Sequence, residues 1–165
     1  MANRTPYTTI MLSGGFDPLH IGHVRMILAA ADLGNVIIAT NSDRWLMKKK
    51  GYIFMPWEER AEVIRAVRGV EDVIRVDDTD GTVCAALRRV KPDIFGNGGD
   101  RTKDNTPEME VCKELGIEMV WGLGGTKIQS SSDLVQSSNL SPPSYDEDSE
   151  FLQPSLIYVA AKPKE

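Results

Sequence analysis

The segment YTTIMLSGGFDPLHIGHVRMILAAADL, residues 7–33, decides the fold class of this chain. Its opening residues, 7–12, are apolar and β-branched, which predicts a buried strand. Apolar residues then recur at helical spacing over residues 21–33. The segment is therefore a strand, a loop with two adjacent glycines, and a helix.

The rest of the chain repeats this alternation. It contains predicted strands at residues 35–40, 72–76, 93–95 and 117–121, and predicted helices at residues 56–67, 82–90, 107–115 and 130–137. Five such alternations predict an α/β fold with a five-stranded, mainly parallel sheet. In such sheets, ligands bind at the carboxyl ends of the strands.

Composition limits the classes of function. The chain has 165 residues, of which 41% are apolar and 26% charged, as in an ordinary globular domain. Its net charge of −5 argues against a protein that coats nucleic acid. No apolar run approaches the roughly 20 residues that span a bilayer, and the segment MANRTPYTTIML lacks the apolar stretch of a signal peptide. We expect a cytoplasmic protein that binds neither nucleic acid nor membrane, and Cys84 and Cys112 predict no metal site or disulfide.

The composition changes after residue 137, where a stretch rich in serine, proline and acidic residues begins. This change predicts one domain over residues 1–137 and a tail over residues 138–165. Residues 156–161, LIYVAA, are apolar again. They are a candidate for an added strand, on the same domain or on a second copy of the chain.

The loop SGGFDPLHIGH after the first strand carries the strongest functional signal. Gly14 and Gly15 let backbone N–H groups approach an anion, and the positive end of the next helix points to the same place. His20 and His23, the only two histidines of the chain, lie at the start of that helix, with Gly22 between them. Because no serine or cysteine nucleophile stands beside them with a carboxylate to orient the pair, the pattern favours phosphoryl or nucleotidyl transfer over covalent catalysis.

Gly15-Phe16-Asp17 followed by His20-x-Gly22-His23 resembles the signature of the HxGH nucleotidyltransferases, the cytidylyltransferase-like superfamily. The resemblance implies a Rossmann-like sheet with helices on both faces. It also implies that a nucleoside triphosphate is joined to a phosphorylated acceptor by in-line attack, with release of pyrophosphate and no covalent enzyme intermediate. His20 and His23 would hold triphosphate oxygens and stabilise the transition state, and Mg²⁺ would be held mainly by the substrate phosphates.

Other motifs of that family assign further residues by resemblance. A triple serine before the last predicted helix is similar to an element whose hydroxyls and amides bind the β- and γ-phosphates. A lysine after the second strand reaches the phosphates in the family, and Lys50 is our candidate for this catalytic role, with Lys48 and Lys49 as rivals. The remaining candidates are the nucleotide-binding residues Gly14, Gly15, Phe16, Gly98, Asp100, Ser130, Ser131 and Ser132, and the acceptor-binding residues Asp17, Asn41 and Arg60.

Within the family, the chain most resembles the sugar-phosphate adenylyltransferases that make ADP-heptose from heptose 1-phosphate. The shared features are the TNSD run at residues 40–43, Lys50-Gly51, and Gly98-Gly99-Asp100. The glycerol-3-phosphate cytidylyltransferases carry an arginine before the triple serine, where this chain has GTKI. ATP and a sugar phosphate are therefore the expected substrates.

Two alternatives stay open. The first is CTP with glycerol 3-phosphate or another alcohol phosphate, since Lys127 of the GTKI run could supply the missing charge. The second is a nucleotide-binding module without catalysis. Many members of the family are dimers, so a homodimer is a further option.

Overall fold

The computed structural model describes residues 8–99 and 106–138. Within them the chain alternates between five strands and six helices. In chain order these are β1 (Thr9–Gly14), α1 (Ile21–Ala31), β2 (Asn35–Thr40), α2 (Asp43–Lys50), α3 (Trp57–Arg65), β3 (Val70–Arg75), α4 (Cys84–Val90), β4 (Ile94–Gly98), α5 (Pro107–Leu115), β5 (Glu118–Leu123) and α6 (Ser131–Ser137). The α/β prediction is confirmed, and each predicted strand overlaps an observed one.

The five strands form one parallel sheet in the order β3-β2-β1-β4-β5. The central strand, β1, pairs with β2 on one side and with β4 on the other. Along the chain, β2 and β3 are added on one side of β1. The chain then crosses back over the sheet, and β4 and β5 are added on the other side. This reversal of strand order creates a crevice at the carboxyl ends of β1 and β4, where ligands bind in open α/β sheets.

Two apolar clusters cover the two faces of the sheet. Alternate residues of a strand point to opposite faces, so Leu12 joins a cluster with Ile27 of α1 and Ile64 of α3. Met11 joins the other cluster, with Leu87 of α4 and residues of α5. Each such side chain contributes roughly 1.5–3 kcal/mol by its burial. The helices are thus fixed on both faces, and the loops at the carboxyl edge are anchored at both ends.

One helix, α2, is absent from the helices that the sequence predicts. The side chain of Ser42 caps this helix by accepting a hydrogen bond from the N–H of Trp45 at 3.1 Å. Gly51 ends it in the left-handed conformation, with a φ of 79°. Leu46 is its one buried residue. An apolar pattern at helical spacing is therefore too weak to recognise in this segment.

Some predictions fall outside the described residues. They concern Asp100 and the tail over residues 138–165, of which only Ser138 is described. Across the described ranges, no helix is long and apolar enough to cross a membrane.

Candidate active site

A cavity of about 380 Å³ lies at the carboxyl ends of the central strands. The β1–α1 loop, α2, the end of β4 and the β5–α6 loop form its walls. The structure therefore brings together residues that the sequence analysis selected from separate motifs. Those that line the cavity are Gly14, Gly15, Phe16, His20, His23, Asn41, Lys50, Gly98, Ser130, Ser131 and Ser132.

The two histidines stack against each other at the start of α1, with ring centroids 3.8 Å apart. A backbone hydrogen bond orients each ring. The N–H of Gly22 donates to Nδ1 of His20 at 3.1 Å, and the N–H of His20 donates to Nδ1 of His23 at 3.2 Å. Because an Nδ1 that accepts a hydrogen bond carries no proton, each neutral ring keeps its proton on Nε2. Both imidazoles therefore retain an Nε2–H donor for a ligand.

Both imidazoles are neutral at physiological pH. Burial lowers the pKa of His23 from 6.5 to about 3, and His20 and Lys50 add smaller contributions of the same sign. Burial also lowers the pKa of His20, and the charges of Lys50 and Lys127 act in the same direction. These lysines place positive charge around the pair before any anion binds. A polyphosphate would be attracted there and would raise both pKa values by favouring the protonated rings.

Lysines from the last turn of α2 contribute to this positive charge. Lys49 and Lys50 line the cavity, whereas Lys48 does not. Lys50 is half-buried, and its Nζ donates to the carbonyl oxygen of Asp17 at 3.3 Å. Burial lowers its pKa, while Asp17 opposes that change. Lys49 lies over the ring of Trp45, with Nζ 4.4 Å from the centroid.

Asp17 is placed differently from its predicted role in acceptor binding. The side chain is fully buried, and its two oxygens accept hydrogen bonds from the N–H groups of Phe54 and Met55 at 2.7 and 2.6 Å. Burial raises its pKa, and the two backbone hydrogen bonds partly offset this change. Asp17 thus ties the β1–α1 loop to the segment between α2 and α3, and it presents no surface to an acceptor.

Arg60 also fails to reach the cavity. It is the largest fully buried side chain, and its guanidinium forms an ion pair with Asp43 at 2.6 Å. The same group donates to the carbonyl oxygens of Gly15, Asn41 and Met55 at 2.6, 3.0 and 2.9 Å. Oxygen atoms of the protein therefore accept the hydrogen bonds that the guanidinium can donate. Arg60 fixes the loops that surround the cavity instead of binding an acceptor.

Glycines are required where the cavity wall is tightest. A Cβ on Gly22 would lie 2.9 Å from Cε1 of His20 and would push that ring out of place. A Cβ on Gly99 would collide with the carbonyl oxygen of Gly125, which itself has a φ of 82°. The chain after β4 and the chain after β5 therefore touch through their backbones. Larger residues at 22 and 99 would change the shape of the cavity.

The three serines at the start of α6 line the cavity but have different hydrogen bonds. The Ser130 side chain caps the helix by accepting from the N–H of Asp133 at 3.3 Å. Ser131 donates its hydroxyl proton to the carbonyl oxygen of Pro18 at 2.8 Å, which ties α6 to the β1–α1 loop. A phosphate group needs donors. The hydroxyl protons of Ser130 and Ser132 go to no acceptor among the described residues and are therefore available to a ligand.

The sequence analysis missed a second cavity, of about 720 Å³, on the other side of α2. Trp45 and Lys49 line both cavities, so α2 is the wall between them. The available signal was the polar run VDDTDG after β3, which contributes Asp77, Asp78 and Thr79. The other lining residues are Ser42, Asp43, Arg44, Lys48, Arg75, Val76 and Gly81.

Comparison with protein-family models matches residues 11–136 to the cytidylyltransferase-like family. The chain belongs to this family. The match spans the whole first cavity, from the β1–α1 loop to α6, and it confirms the resemblance drawn from the HxGH motif. This cytidylyltransferase-like protein is therefore an enzyme of the nucleotidyltransferase class.

Several curated relatives are similar to this chain. The FAD synthase of Pyrococcus abyssi is 31% identical over 112 residues, which are 67% of this chain and 75% of that protein. The FAD synthase of Thermococcus kodakarensis is 35% identical over 120 residues, or 71% and 79% of the two chains. The bifunctional protein HldE of Gluconobacter oxydans is 34% identical over 127 residues, which cover 72% of this chain but only 26% of HldE.

A solved structure supports the fold. The lipopolysaccharide core biosynthesis protein from Thermoplasma volcanium GSS1 superimposes with a TM-score of 0.58 at 24% identity. The match covers 69% of this chain and 94% of that one. It agrees with the Rossmann-like α/β fold expected from the HxGH motif.

Proposed function

We propose that this enzyme transfers an adenylyl group from ATP to a sugar phosphate and releases pyrophosphate. A phosphate oxygen of the acceptor attacks the α-phosphorus, and the bond from that phosphorus to the bridging oxygen of the β-phosphate breaks. Negative charge then collects on the departing pyrophosphate. One observation carries the proposal: two oriented Nε2–H donors and Lys50 line a cavity that borders a second cavity across α2, and that second cavity carries charged and hydroxyl-bearing side chains.

The residues of the first cavity suit charge stabilisation. The neutral His20 and His23 donate hydrogen bonds to phosphate oxygens, and Lys50 adds a positive charge beside them. Ser130 and Ser132 provide hydroxyl donors at the opposite wall. Oriented donors of this kind act most strongly where charge develops in the transition state. None of these residues forms a covalent bond to the substrate in the proposed step.

The second cavity is our candidate for the acceptor site, in place of Asp17 and Arg60. Asn41 lines the first cavity, and the next residue, Ser42, lines the second. The two cavities therefore adjoin at this point of the chain. The lining of the second cavity is mainly charged or hydroxyl-bearing, with Trp45 and Val76 as its large apolar side chains. The charged and hydroxyl-bearing side chains of this lining can hydrogen-bond a polyhydroxylated phosphate.

Mg²⁺ is part of the proposal only as a companion of the triphosphate. No carboxylate belongs to the described lining of the first cavity. The described residues also hold no cluster of three or more metal-ligating side chains. The part of the chain that the structure describes therefore offers no ligand set of its own for Mg²⁺, which prefers oxygen ligands and commonly binds substrate phosphates.

We assign the reaction to residues 1–137 and to the cytoplasm, with no nucleic acid or membrane as a partner. ATP is the favoured nucleotide over CTP. A homodimer is compatible with this assignment.

The test is pyrophosphate release with Mg²⁺, with ATP and CTP each combined with heptose 1-phosphate, other sugar 1-phosphates, glycerol 3-phosphate and flavin mononucleotide. We expect turnover with ATP and a sugar phosphate. Turnover with CTP, or with ATP and flavin mononucleotide, would contradict the assigned substrates while keeping the reaction class. Lys50→Met should lose about a hundredfold in turnover. The matched control is Lys113→Met, which alters the last turn of α5 and lines neither cavity.

A further inference from the structure

Asp78 stands out among the residues that the reaction does not use. It is buried, with 8% of its surface exposed, and it lies in the loop after β3. Its carboxylate accepts three hydrogen bonds from the loop after β2. The donors are the Nδ2 of Asn41 at 3.1 Å, the N–H of Ser42 at 2.8 Å and the hydroxyl of Ser42 at 2.6 Å. Asp78 thus connects the two loops at the carboxyl edge of neighbouring strands.

Both groups that Asp78 holds belong to the wall between the cavities. Ser42 caps α2, the helix that carries Trp45, Lys49 and Lys50, and its hydroxyl oxygen accepts from the N–H of Trp45. Donation by Nδ2 of Asn41 also fixes the amide of that residue, which lines the first cavity. Asp78 itself lines the second cavity. The carboxylate therefore acts on the first cavity from the opposite side of α2.

Among the described residues, no cation forms an ion pair with Asp78. The ion pairs of the described residues involve Asp43, Glu58 and Glu114 but not Asp78. A buried carboxylate without an ion pair is costly to retain for stability alone. Its three neutral donors are better explained by the geometry that the carboxylate imposes on them.

We propose that Asp78 is a positioning residue, which sets the amide of Asn41 and the start of α2 so that the lysines of α2 face the nucleotide. The inference rests on the proposed function, because it assigns a nucleotide to the first cavity. Asp78 acts through its hydrogen bonds and not through its charge. An asparagine at this position would preserve them. Its oxygen would accept from Asn41 and the Ser42 N–H, and its amide would donate to the second lone pair of the Ser42 hydroxyl.

The experiment compares Asp78→Ala, Asp78→Asn and Asp80→Ala by titration of the protein with ATP and Mg²⁺. Asp80 is the matched control, since it is an exposed acid of the same loop and lines neither cavity. We expect the dissociation constant for ATP to rise about tenfold in Asp78→Ala, the size of one lost positioning contact. Asp78→Asn should stay close to the wild type, as should Asp80→Ala.

Each other pattern overturns the inference. If Asp78→Ala lowers Tm but binds ATP as the wild type does, the role of Asp78 is structural only. If Asp78→Asn loses as much affinity for ATP as Asp78→Ala, the charge of Asp78 supports nucleotide binding and its hydrogen-bond geometry does not. Ser42→Ala removes one of the three bonds and serves if Asp78→Ala does not fold, with an expected loss of a few-fold in affinity. An unchanged affinity in this variant would also count against the inference.

A ligand-free readout separates this inference from the proposed function. Amide hydrogen exchange along α2, at Trp45 and its neighbours, should be faster in Asp78→Ala than in Asp78→Asn or Asp80→Ala. A wild-type protein that binds neither ATP nor CTP contradicts the proposed function. The exchange rates still decide whether Asp78 holds α2, and equal rates in all three variants would show that it does not.

Discussion

Lowering the pH from 7.5 to 5 should destabilise the fold through His23. Its pKa is about 3 in the folded protein and 6.5 as a free side chain. Below pH 6.5 the unfolded chain therefore binds a proton that the folded chain does not bind. The stability associated with the neutral ring is fully present above pH 6.5 and is lost progressively as the pH falls toward about 3.

The magnitude follows from the distance between the assay pH and the unfolded pKa. At pH 5 the solution lies 1.5 units below the free value of 6.5. Each unit corresponds to about 1.36 kcal/mol, so His23 should cost about 2 kcal/mol in the free energy of unfolding. A loss of this size lowers Tm by roughly 6–10 °C in a domain of this length. The pKa of His20 is shifted in the same direction, so it adds to the loss.

Urea unfolding at a series of pH values measures the effect. The wild type should lose stability toward pH 5, and His23→Gln should lose about 2 kcal/mol less over the same interval. His20→Gln keeps the buried ring of His23 and should remove only the contribution of His20, so it separates the effects of the two histidines. Burial raises the pKa of Asp17, and a raised carboxyl pKa acts with the opposite sign. Because Asp17 is common to the wild type and His23→Gln, the difference between their two curves isolates His23. Parallel curves for the wild type and His23→Gln would refute the reasoning.

Three further substitutions test the packing around the first cavity. Arg60→Met should cost about 3–5 kcal/mol in the free energy of unfolding, because it leaves Asp43 unpaired and strips three carbonyls of a donor; a near-neutral result in urea unfolding would argue against its role in fixing the loops. Gly22→Ala should lower kcat/KM about tenfold by displacing His20 while changing Tm little, so unaltered kinetics would show that the ring tolerates the added Cβ. Gly99→Ala should weaken ATP binding and lower Tm together, because its Cβ meets the backbone at Gly125; an unchanged dissociation constant would show that this wall does not contact the nucleotide.

Local patterns explain why much of the fold was predictable. The strand before the glycine loop and the helix that begins at Ile21 depend on apolar spacing within a short segment, and the structure has both. The HxGH residues lie together at the start of one helix, so their proximity follows from the sequence alone. Helix α2 was missed because its eight residues bury a single apolar side chain and are held by a cap and distant contacts.

Residue roles were harder to predict where they depend on contacts between distant segments. The sequence shows that Asp17 precedes the histidines, but not that the amides of Phe54 and Met55 occupy its oxygens. The second cavity was equally hidden. It forms because β2 pairs with β3, which brings the loop after residue 40 beside the loop after residue 75. Neither loop alone predicts a binding site.

The position of α2 between two cavities has a consequence for redesign of this enzyme. A change on the face of α2 that carries Trp45 and Lys49 alters both cavities at once. Substitutions that are selected on that face for a new acceptor would therefore also change how the first cavity binds the nucleotide. Asp77 and Thr79 line the second cavity alone and lie outside the helix. With the second cavity as the proposed acceptor site, a library for altered acceptor preference is best confined to these two positions, with Asp78 held constant.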